Sequence, residues 1–203
     1  MTDLEPDDQP VGPTGERPGG GPRTALVIAS VLGVLMVLLV GVLATRDPST
    51  ERVTQSPLIG KLAPAVAGAT LDDRTFSLAD QRGRWAIVNF FATWCTPCVV
   101  EHEELLAFDE RHRPQGDAVV VSVLFDDDPD SARAFFDERG GTWPVVVDEE
   151  GAIGVAYGVA RVPESFLVAP DGTVVQRLVG GVTDAQLEGL LDQYEAAAEG
   201  AGS

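Results

Sequence analysis

The feature that most constrains this chain is an apolar stretch that runs almost directly into two closely spaced cysteines. Residues Trp85–Phe91 are short, apolar, and rich in β-branched and aromatic side chains, which is typical of a strand buried in a parallel sheet. Cys95 and Cys98, the only cysteines of the chain, follow with two residues between them, and an amphipathic pattern continues to about Arg113. The sequence therefore predicts a buried strand, a cysteine pair on the first helical turn, and a helix.

This placement of the two thiols has chemical consequences. Cysteines at this spacing close a disulfide with little backbone movement when they lie on the first turn of a helix. The free N–H groups at a helix start carry partial positive charge, which favours a thiolate over a thiol at Cys95. A thiolate attacks the disulfide of another protein, and Cys98 then releases the mixed disulfide. The pattern thus predicts a thiol–disulfide exchange site.

Two other uses of the cysteines are less consistent with the sequence. A static disulfide would close a very short loop and would stabilise the fold only weakly. A zinc site would need two more ligands: His102 shares the helix face of Cys98, but His112 lies near the helix end and is poorly placed. A C-x-x-C pair that follows a strand and opens a helix favours redox use, and no metal site is predicted.

The remaining segments predict an α/β domain with a mixed central sheet, helices on both faces and an antiparallel pair at one edge. The acidic run at 126–130 is interpreted as a helix N-cap, because the ligand spacing of a calcium loop is absent. Further strands are predicted at 66–71, 75–78, 119–125, 145–147, 165–169 and 174–179, and further helices at 131–139, 153–157 and from a capping box at 183–186 to about 198.

The net charge of the chain limits the classes of molecule that it can bind. There are 14 basic and 32 acidic residues, which gives a formal net charge of −18. Nucleic acid is a poor partner for such a chain, because binding phosphates requires Lys and Arg. An acidic surface that keeps the protein soluble is the simpler interpretation.

The N-terminal part of the chain differs from the domain in its amino-acid composition. Residues 1–24 are rich in Pro, Gly and Asp and are expected to be a disordered cytoplasmic tail. Residues 25–44 are uncharged and apolar, and as a helix they would span about 30 Å, so a transmembrane anchor is predicted at 25–45. A cleaved secretory signal is the alternative. A linker at 46–56, a domain at 57–198 and a flexible end at 199–203 complete the expected organisation.

Several separated segments resemble one family. They resemble the TlpA/ResA/CcmG (DsbE) group of membrane-anchored, thioredoxin-like thiol–disulfide oxidoreductases over roughly residues 57–196. The segments that carry the resemblance are Leu-Ile-Gly-Lys at 58–61 with Ala-Pro at 63–64, Asn-Phe-Phe-Ala-Thr-Trp-Cys at 89–95, Cys-Val-Val-Glu-His at 98–102, Tyr-Gly-Val at 157–159, and Val-Pro-Glu-Ser-Phe-Leu-Val at 162–168.

The resemblance implies roles for individual residues. Cys95 would be the exposed attacking thiol and Cys98 the resolving thiol. Glu101 lies on the same helix face as Cys98 and would shift the pKa values of the thiols. The alternative for Glu101 is a solvated helix acid. Pro163 would be a cis-proline facing the cysteines, with the backbone of Val162 open to an extended substrate segment.

The resemblance also bears on three further positions. Glu164 either contacts substrate or is a surface acid. Trp94 offers an apolar contact beside the attacking cysteine, although core packing is the common fate of tryptophan. Asn89 stands where ordinary thioredoxins carry a buried acid, and a buried amide bonded to backbone is expected there rather than a catalytic group.

The resemblance also implies a function and a location. The domain would face the extracytoplasmic side of the bacterial cytoplasmic membrane and would reduce the C-x-x-C-H cysteines of apocytochrome c or other disulfide proteins. A membrane thiol transporter of the CcdA/DsbD kind would supply electrons, and no cofactor beyond the redox-active Cys95–Cys98 disulfide is expected. The alternatives are a general extracytoplasmic disulfide oxidoreductase or isomerase, and a metal-binding chaperone on the same fold. A peroxidase is disfavoured because the Pro-x-x-x-Thr-x-x-Cys motif is absent before Cys95.

Overall fold

The computed structural model describes residues 22–44 and 56–201, which fall into two compact units, 1–50 and 51–203. In the first unit, helix α1 (Pro22–Ala44) covers the predicted apolar segment, and its described side chains at 27–38 are exposed. Within the part of the chain that is described, no helix combines the length and apolarity needed to cross a membrane. The predicted anchor at 25–45 is therefore not confirmed. Most of the predicted tail and linker lie outside the described residues.

The second unit is built on a five-stranded sheet with the strand order β5-β4-β3-β6-β7. Strands β3, β4 and β5 are parallel, β6 is antiparallel to β3, and β7 is antiparallel to β6. The prediction of a mixed sheet with an antiparallel pair at one edge is confirmed. The strands of this sheet are β3 (Trp85–Phe91), β4 (Ala118–Leu124), β5 (Val145–Val147), β6 (Glu164–Val168) and β7 (Val174–Val179).

Helices cover both faces of the sheet, as predicted, because the side chains of the central strand alternate between two apolar clusters. Ile87 and Phe91 of β3 belong to a first apolar cluster on one face of the sheet. Val88 and Phe90 belong to a second apolar cluster on the other face, which contains Tyr157. The helices on the first face are α2 (Thr96–His112), α3 (Pro129–Arg139) and α5 (Asp184–Ala201), and α4 (Ala152–Tyr157) lies on the second.

The predicted hairpin and the predicted cap of helix α3 are both present in this unit. Strands β1 (Ala67–Ala69) and β2 (Thr75–Ser77) form the predicted hairpin. Helix α3 begins at Pro129 rather than at the predicted Ser131, because the side chain of Asp128 accepts a hydrogen bond from the N–H of Ser131 at 2.8 Å. The interpretation of the acidic run as a helix cap is therefore confirmed.

Candidate active site

The two cysteines follow the end of the central strand β3 and lie at the start of helix α2. Cys95 has extended backbone angles and is the N-cap of α2, and its Sγ accepts a hydrogen bond from the N–H of Cys98 at 3.2 Å. Pro97 fits in this first turn because the N–H that proline lacks would have no intrahelical partner there. Cys95 and Cys98 form a disulfide with Cα atoms 5.2 Å apart. The predicted placement of the pair on the first helical turn is confirmed.

The accessibility of Cys95 differs from the prediction. Cys95 is 4% exposed and Cys98 3% exposed in the disulfide form, so the attacking cysteine is buried rather than exposed. Both side chains belong to the apolar cluster that also contains Phe91 and Val182. The contribution of Val182, which lies more than eighty residues further along the chain, depends on tertiary packing and could not be predicted from the local pattern.

The segment just before Cys95 is held by the loop between β4 and α3. Trp94 is 60% exposed, and its Nε1 donates a hydrogen bond to the carbonyl oxygen of Asp126 at 3.1 Å. Thr93 donates from its backbone N–H and its Oγ1 to Oδ2 of Asp127, at 2.6 and 2.7 Å. Trp94 is thus a surface residue beside the cysteines, not a core residue. Asp127 was missed, although its position after a strand parallel to β3 places it at the same sheet edge.

Replacing Asp127 with Ala is expected to loosen the Thr93–Trp94 segment, because two hydrogen bonds to one carboxylate are lost. The free energy of unfolding should fall by about 1–3 kcal/mol, as for other hydrogen bonds to charged groups. Urea denaturation of the oxidised protein measures this change. The matched control is Asp130→Ala, since Asp130 is an exposed acid of α3 whose carboxylate pairs with Arg133 rather than with the Thr93–Trp94 segment. Equal losses in the two variants would contradict the stabilising role of Asp127.

Glu101 lies one helical turn after Cys98 and is buried, with an exposed fraction of 2%. Its Oε1 accepts a hydrogen bond from the N–H of Val182 at 3.1 Å, and its Oε2 accepts one from Nδ2 of Asn89 at 3.2 Å. Burial raises the pKa of Glu101 to about 8, although these bonds and one with Ser165 lower it. The solvated alternative is therefore wrong. A pKa raised above 7 favours the protonated carboxyl at neutral pH, which weakens any effect of its negative charge on the thiols.

Asn89 is buried, as predicted, but its partners are side chains rather than backbone. Its Nδ2 also donates to Oγ of Ser165 at 3.1 Å, and its Oδ1 accepts from Oγ of Ser122 at 3.4 Å. The backbone of Asn89 pairs within the sheet with Ser122 on one side and Ser165 on the other. Because the neighbouring backbone groups are used in the ladder, the amide bonds to the side chains of the flanking strands.

The Val162–Pro163 peptide bond is cis, in agreement with the prediction. The carbonyl oxygen of Pro163 accepts a hydrogen bond from the N–H of Gly180 at 3.0 Å. A Cβ added at the next residue, Gly181, would lie 3.8 Å from Cβ of Glu101 and from the carbonyl oxygen of Pro97. The loop between β7 and α5 therefore connects the cis-proline, the buried carboxyl and the first turn of α2. Val162 itself is half-buried.

Glu164 differs from both expectations for it. Its exposed fraction is 1%, and its carboxylate forms an ion pair with Arg177, whose guanidinium lies 5.8 Å from the ring centre of Phe166. Glu164 pairs with Phe90 across the sheet, so it points to the face opposite Asn89. It is neither a surface acid nor available for substrate contact, because its β6 position turns it into the second apolar cluster.

The two histidines take part in packing and helix contacts. The ring of His102 lies among aromatic rings, with Trp143 at 5.2 Å between centres, and its Nε2 lies 3.0 Å from the carbonyl oxygen of Gly140. His112 lies between the carboxylates of Asp117 and Glu188. Among the residues the structure describes, no group of three or more His, Cys, Asp or Glu side chains is arranged to hold a metal ion.

The fold and the cysteine site together define a thiol–disulfide oxidoreductase of thioredoxin-like architecture. The chain belongs to the Redoxin family, whose model matches residues 58–191, and within it to the TlpA/ResA/CcmG group.

Individual relatives agree with this assignment. The chain is 35% identical over 134 residues to the thiol-disulfide oxidoreductase ResA of Bacillus thuringiensis, covering 66% of this chain and 76% of ResA. It is 36% identical over 138 residues to the thiol:disulfide interchange protein HelX of Rhodobacter capsulatus, with the same coverage of 66% and 76%. A Chlorobium tepidum structure assigned to the interchange protein DsbE superposes with a TM-score of 0.60 at 29% identity, over 68% of this chain and 96% of that one.

Proposed function

We propose that the protein is a membrane-tethered reductant that acts on disulfides of extracytoplasmic proteins, with the C-x-x-C-H cysteines of apocytochrome c as its client. The observation that carries this proposal is the Cys95–Cys98 disulfide, which closes the first turn of α2 one turn before a buried carboxyl. The membership of the ResA-like group supports the extracytoplasmic assignment.

The proposed reaction moves two electrons and two protons from the protein to the client. After the disulfide is reduced, the Cys95 thiolate attacks one client sulfur, and the other client sulfur leaves as a thiol once protonated. Cys98 loses its proton and attacks Sγ of Cys95, which breaks the mixed disulfide and releases the second client thiol. The Cys95–Cys98 disulfide is then restored, and a membrane thiol transporter of the CcdA/DsbD kind reduces it again.

Three residues have proposed roles around this exchange. In its ionised form, Glu101 would accept the proton that the Cys98 thiol loses, because it lies on the same face of α2 and its burial raises the affinity of the carboxylate for a proton. The exposed ring of Trp94 would contact the client beside Cys95. The backbone of Val162, before the cis-proline, would pair with an extended client segment.

The tether is proposed from the sequence. Residues 25–44 carry no charge, and a helix of this length spans about 30 Å, the thickness of the hydrocarbon core of a bilayer. In this arrangement, residues 1–24 are cytoplasmic and the catalytic domain is extracytoplasmic. Fractionation of cells that express the full chain, followed by protease treatment of spheroplasts, tests both statements: a released domain contradicts the tether, and a protected domain contradicts the orientation.

The client and the direction of electron flow are tested by capture in cells. In Cys98→Ser, the mixed disulfide at Cys95 cannot resolve, so its partners accumulate and can be identified by mass spectrometry. We expect apocytochrome c among the partners that disappear on adding dithiothreitol. Recovery of only non-haem proteins would favour the general oxidoreductase or isomerase, and a strongly oxidising reduction potential would contradict a reductant.

A further inference from the structure

A small pocket lies at the end of the sheet that is opposite to the cysteines. Arg84 directly precedes β3, whereas Cys95 follows the end of β3, and a strand of this length spans roughly 23 Å. The pocket has a volume of about 170 Å³, and many of its lining residues are small, among them Ala63, Ala79, Ala169 and Gly172. The pocket is therefore separate from the thiol site.

Two arginines, Arg82 and Arg84, line this pocket, and none of the residues that line it in the described part of the chain is acidic. The N–H of the intervening Gly83 donates a hydrogen bond to the carbonyl oxygen of Pro170 at 2.9 Å, which holds this segment against the turn between β6 and β7. A Cβ built at Gly172 of that turn would overlap with the guanidinium of Arg82, so the glycine leaves room for this side chain. The fold thus brings both arginines to one pocket.

The charges of these two arginines are not neutralised by direct contacts. Among the residues that the structure describes, neither side chain forms an ion pair, whereas five other arginines pair with carboxylates: Arg74, Arg111, Arg113, Arg133 and Arg177. Asp171 lies in the neighbouring turn, and its pKa is lowered mainly by hydrogen bonds with Thr173 and to a smaller extent by Arg82. Two guanidinium groups that share a pocket repel each other, so an anion between them would be stabilising.

The chemistry of the guanidinium group indicates the class of anion. Its planar N–H groups donate in pairs to the oxygens of phosphate or carboxylate. A phosphomonoester carries a charge of about −1.5 to −2 at pH 7 and three acceptor oxygens, so it neutralises two arginines, whereas a carboxylate neutralises one. The pocket is smaller than the roughly 300–1,000 Å³ of sites for drug-sized ligands, so it suits a phosphate group with few further atoms.

We propose that Arg82 and Arg84 form a binding site for a phosphate group, carried either by a small soluble phosphomonoester or by the headgroup of an anionic lipid. Both guanidinium groups are required, and the negative charge of Asp171 weakens the site. The site takes no part in thiol–disulfide exchange, because it lies at the other end of β3.

The first test is protection of the two arginines from phenylglyoxal, which modifies guanidinium groups, in the oxidised full chain in a neutral detergent. Modification is quantified at each arginine by mass spectrometry as glycerol 3-phosphate is added at constant ionic strength. We expect the rates at Arg82 and Arg84 to fall severalfold at saturation, while Arg139, which is exposed at the end of α3, reacts at an unchanged rate. Absence of protection, or equal protection by acetate, would overturn the site.

Variants test whether the two guanidinium groups act together. In Arg84→Ala, the concentration of glycerol 3-phosphate that half-protects Arg82 should rise about tenfold or more, because the hydrogen bonds of one charged donor are lost. Arg84→Lys keeps the charge but not the paired donors, so its value should lie between those of Arg84→Ala and the unmodified protein. Arg139→Ala is the matched control and should leave the concentration unchanged. An unchanged value in Arg84→Ala would contradict a site that requires both arginines.

The charge of Asp171 offers a test in the opposite direction. Asp171→Asn removes the negative charge but keeps a side-chain oxygen that can accept the hydrogen bond from the N–H of Thr173. The half-protecting concentration should therefore fall in this variant. An increase would contradict the proposed electrostatic attraction.

A second set of samples distinguishes the two sources of the phosphate group. The full chain is placed in vesicles of phosphatidylcholine alone, or of phosphatidylcholine with an equal amount of phosphatidic acid, and the arginines are modified without glycerol 3-phosphate. Protection of Arg82 and Arg84 in the vesicles with phosphatidic acid alone supports a lipid headgroup as ligand. Protection by glycerol 3-phosphate but not by these vesicles supports a soluble ester, and protection by neither overturns the proposal.

Discussion

Replacing Cys95 with Ser is expected to reduce the rate of client disulfide reduction to background, a loss on the order of a thousandfold or more, because the attacking nucleophile is removed. Cys98→Ser should behave differently: the first attack still occurs, but a stable mixed disulfide forms and turnover stops. The asymmetry follows from the positions of the two sulfurs, since Cys95 is the N-cap of α2 and Cys98 lies inside its first turn.

The measurement has two parts. Turnover of a C-x-x-C-H peptide disulfide, with dithiothreitol as donor, reports the loss of activity in both variants. Alkylation of the reduced protein with iodoacetamide at pH 7 reports which thiol is reactive. The control variant is Thr96→Ser, because Thr96 is exposed between the cysteines and its replacement keeps the helix start intact.

Burial of Cys95 in the disulfide makes the alkylation test stringent. Cys95 is 4% exposed in the oxidised form, so breaking the bond to Cys98 must free the side chain for a client to be reached. Rapid modification of Cys95 in the reduced protein is therefore expected. An inert Cys95 in reduced protein, or faster modification of Cys98, would contradict the assignment of the attacking thiol.

The second large effect is a dependence of folding stability on pH that originates at Glu101. Burial raises its pKa from 4.5 to about 8 in the folded protein, so between these values the folded state holds a proton that the unfolded state has lost. The contribution of Glu101 to stability is fully present below the unfolded pKa and is lost as pH rises through the folded one. The slope is about 1.4 kcal/mol per pH unit, and the total is roughly 5 kcal/mol.

Urea denaturation of the oxidised protein between pH 5 and pH 9 should reveal this loss as a difference between the unmodified protein and Glu101→Gln. The glutamine carries no charge to desolvate, so the difference in unfolding free energy should shift in its favour with rising pH and level off above about pH 8. Glu103→Gln is the control, because Glu103 is exposed on the same helix. A pH-independent difference for Glu101→Gln would show that the carboxyl is ionised at neutral pH.

The elements around the cysteines could be predicted because their signals are local. The continuous apolar runs of β3 and β4 indicate strands that are buried on both faces, and both are found within one residue of the predicted bounds. The start of α2 was predicted from the strand end and the cysteine pair that follows it. Helix capping within the acidic run at 126–130 and the hairpin between β6 and β7 were predicted from capping and turn chemistry, whereas the start of α3 was placed two residues too late.

The burial of several side chains could not be predicted, because their surroundings come from distant parts of the chain. Glu164 and Glu101 both follow local patterns that suit a surface acid, yet β6 and α2 turn them into opposite sides of the core. Asp127 looked like one acid among several, and only the parallel pairing of β3 with β4 brings it to Thr93. Ser122 and Ser165 carried no signal, because their importance depends on register with Asn89.

The sequence by itself determined which residues carry the sulfur chemistry, because the spacing of two thiols after a strand and at a helix start is a property of neighbouring residues. It also determined the order of strands and helices, through the periodicity of apolar side chains. Only the tertiary structure decided that Cys95 is covered and that burial raises the pKa of Glu101. Burial and hydrogen-bond partners are set by chain segments that meet only in the folded state, and these govern both accessibility and pKa.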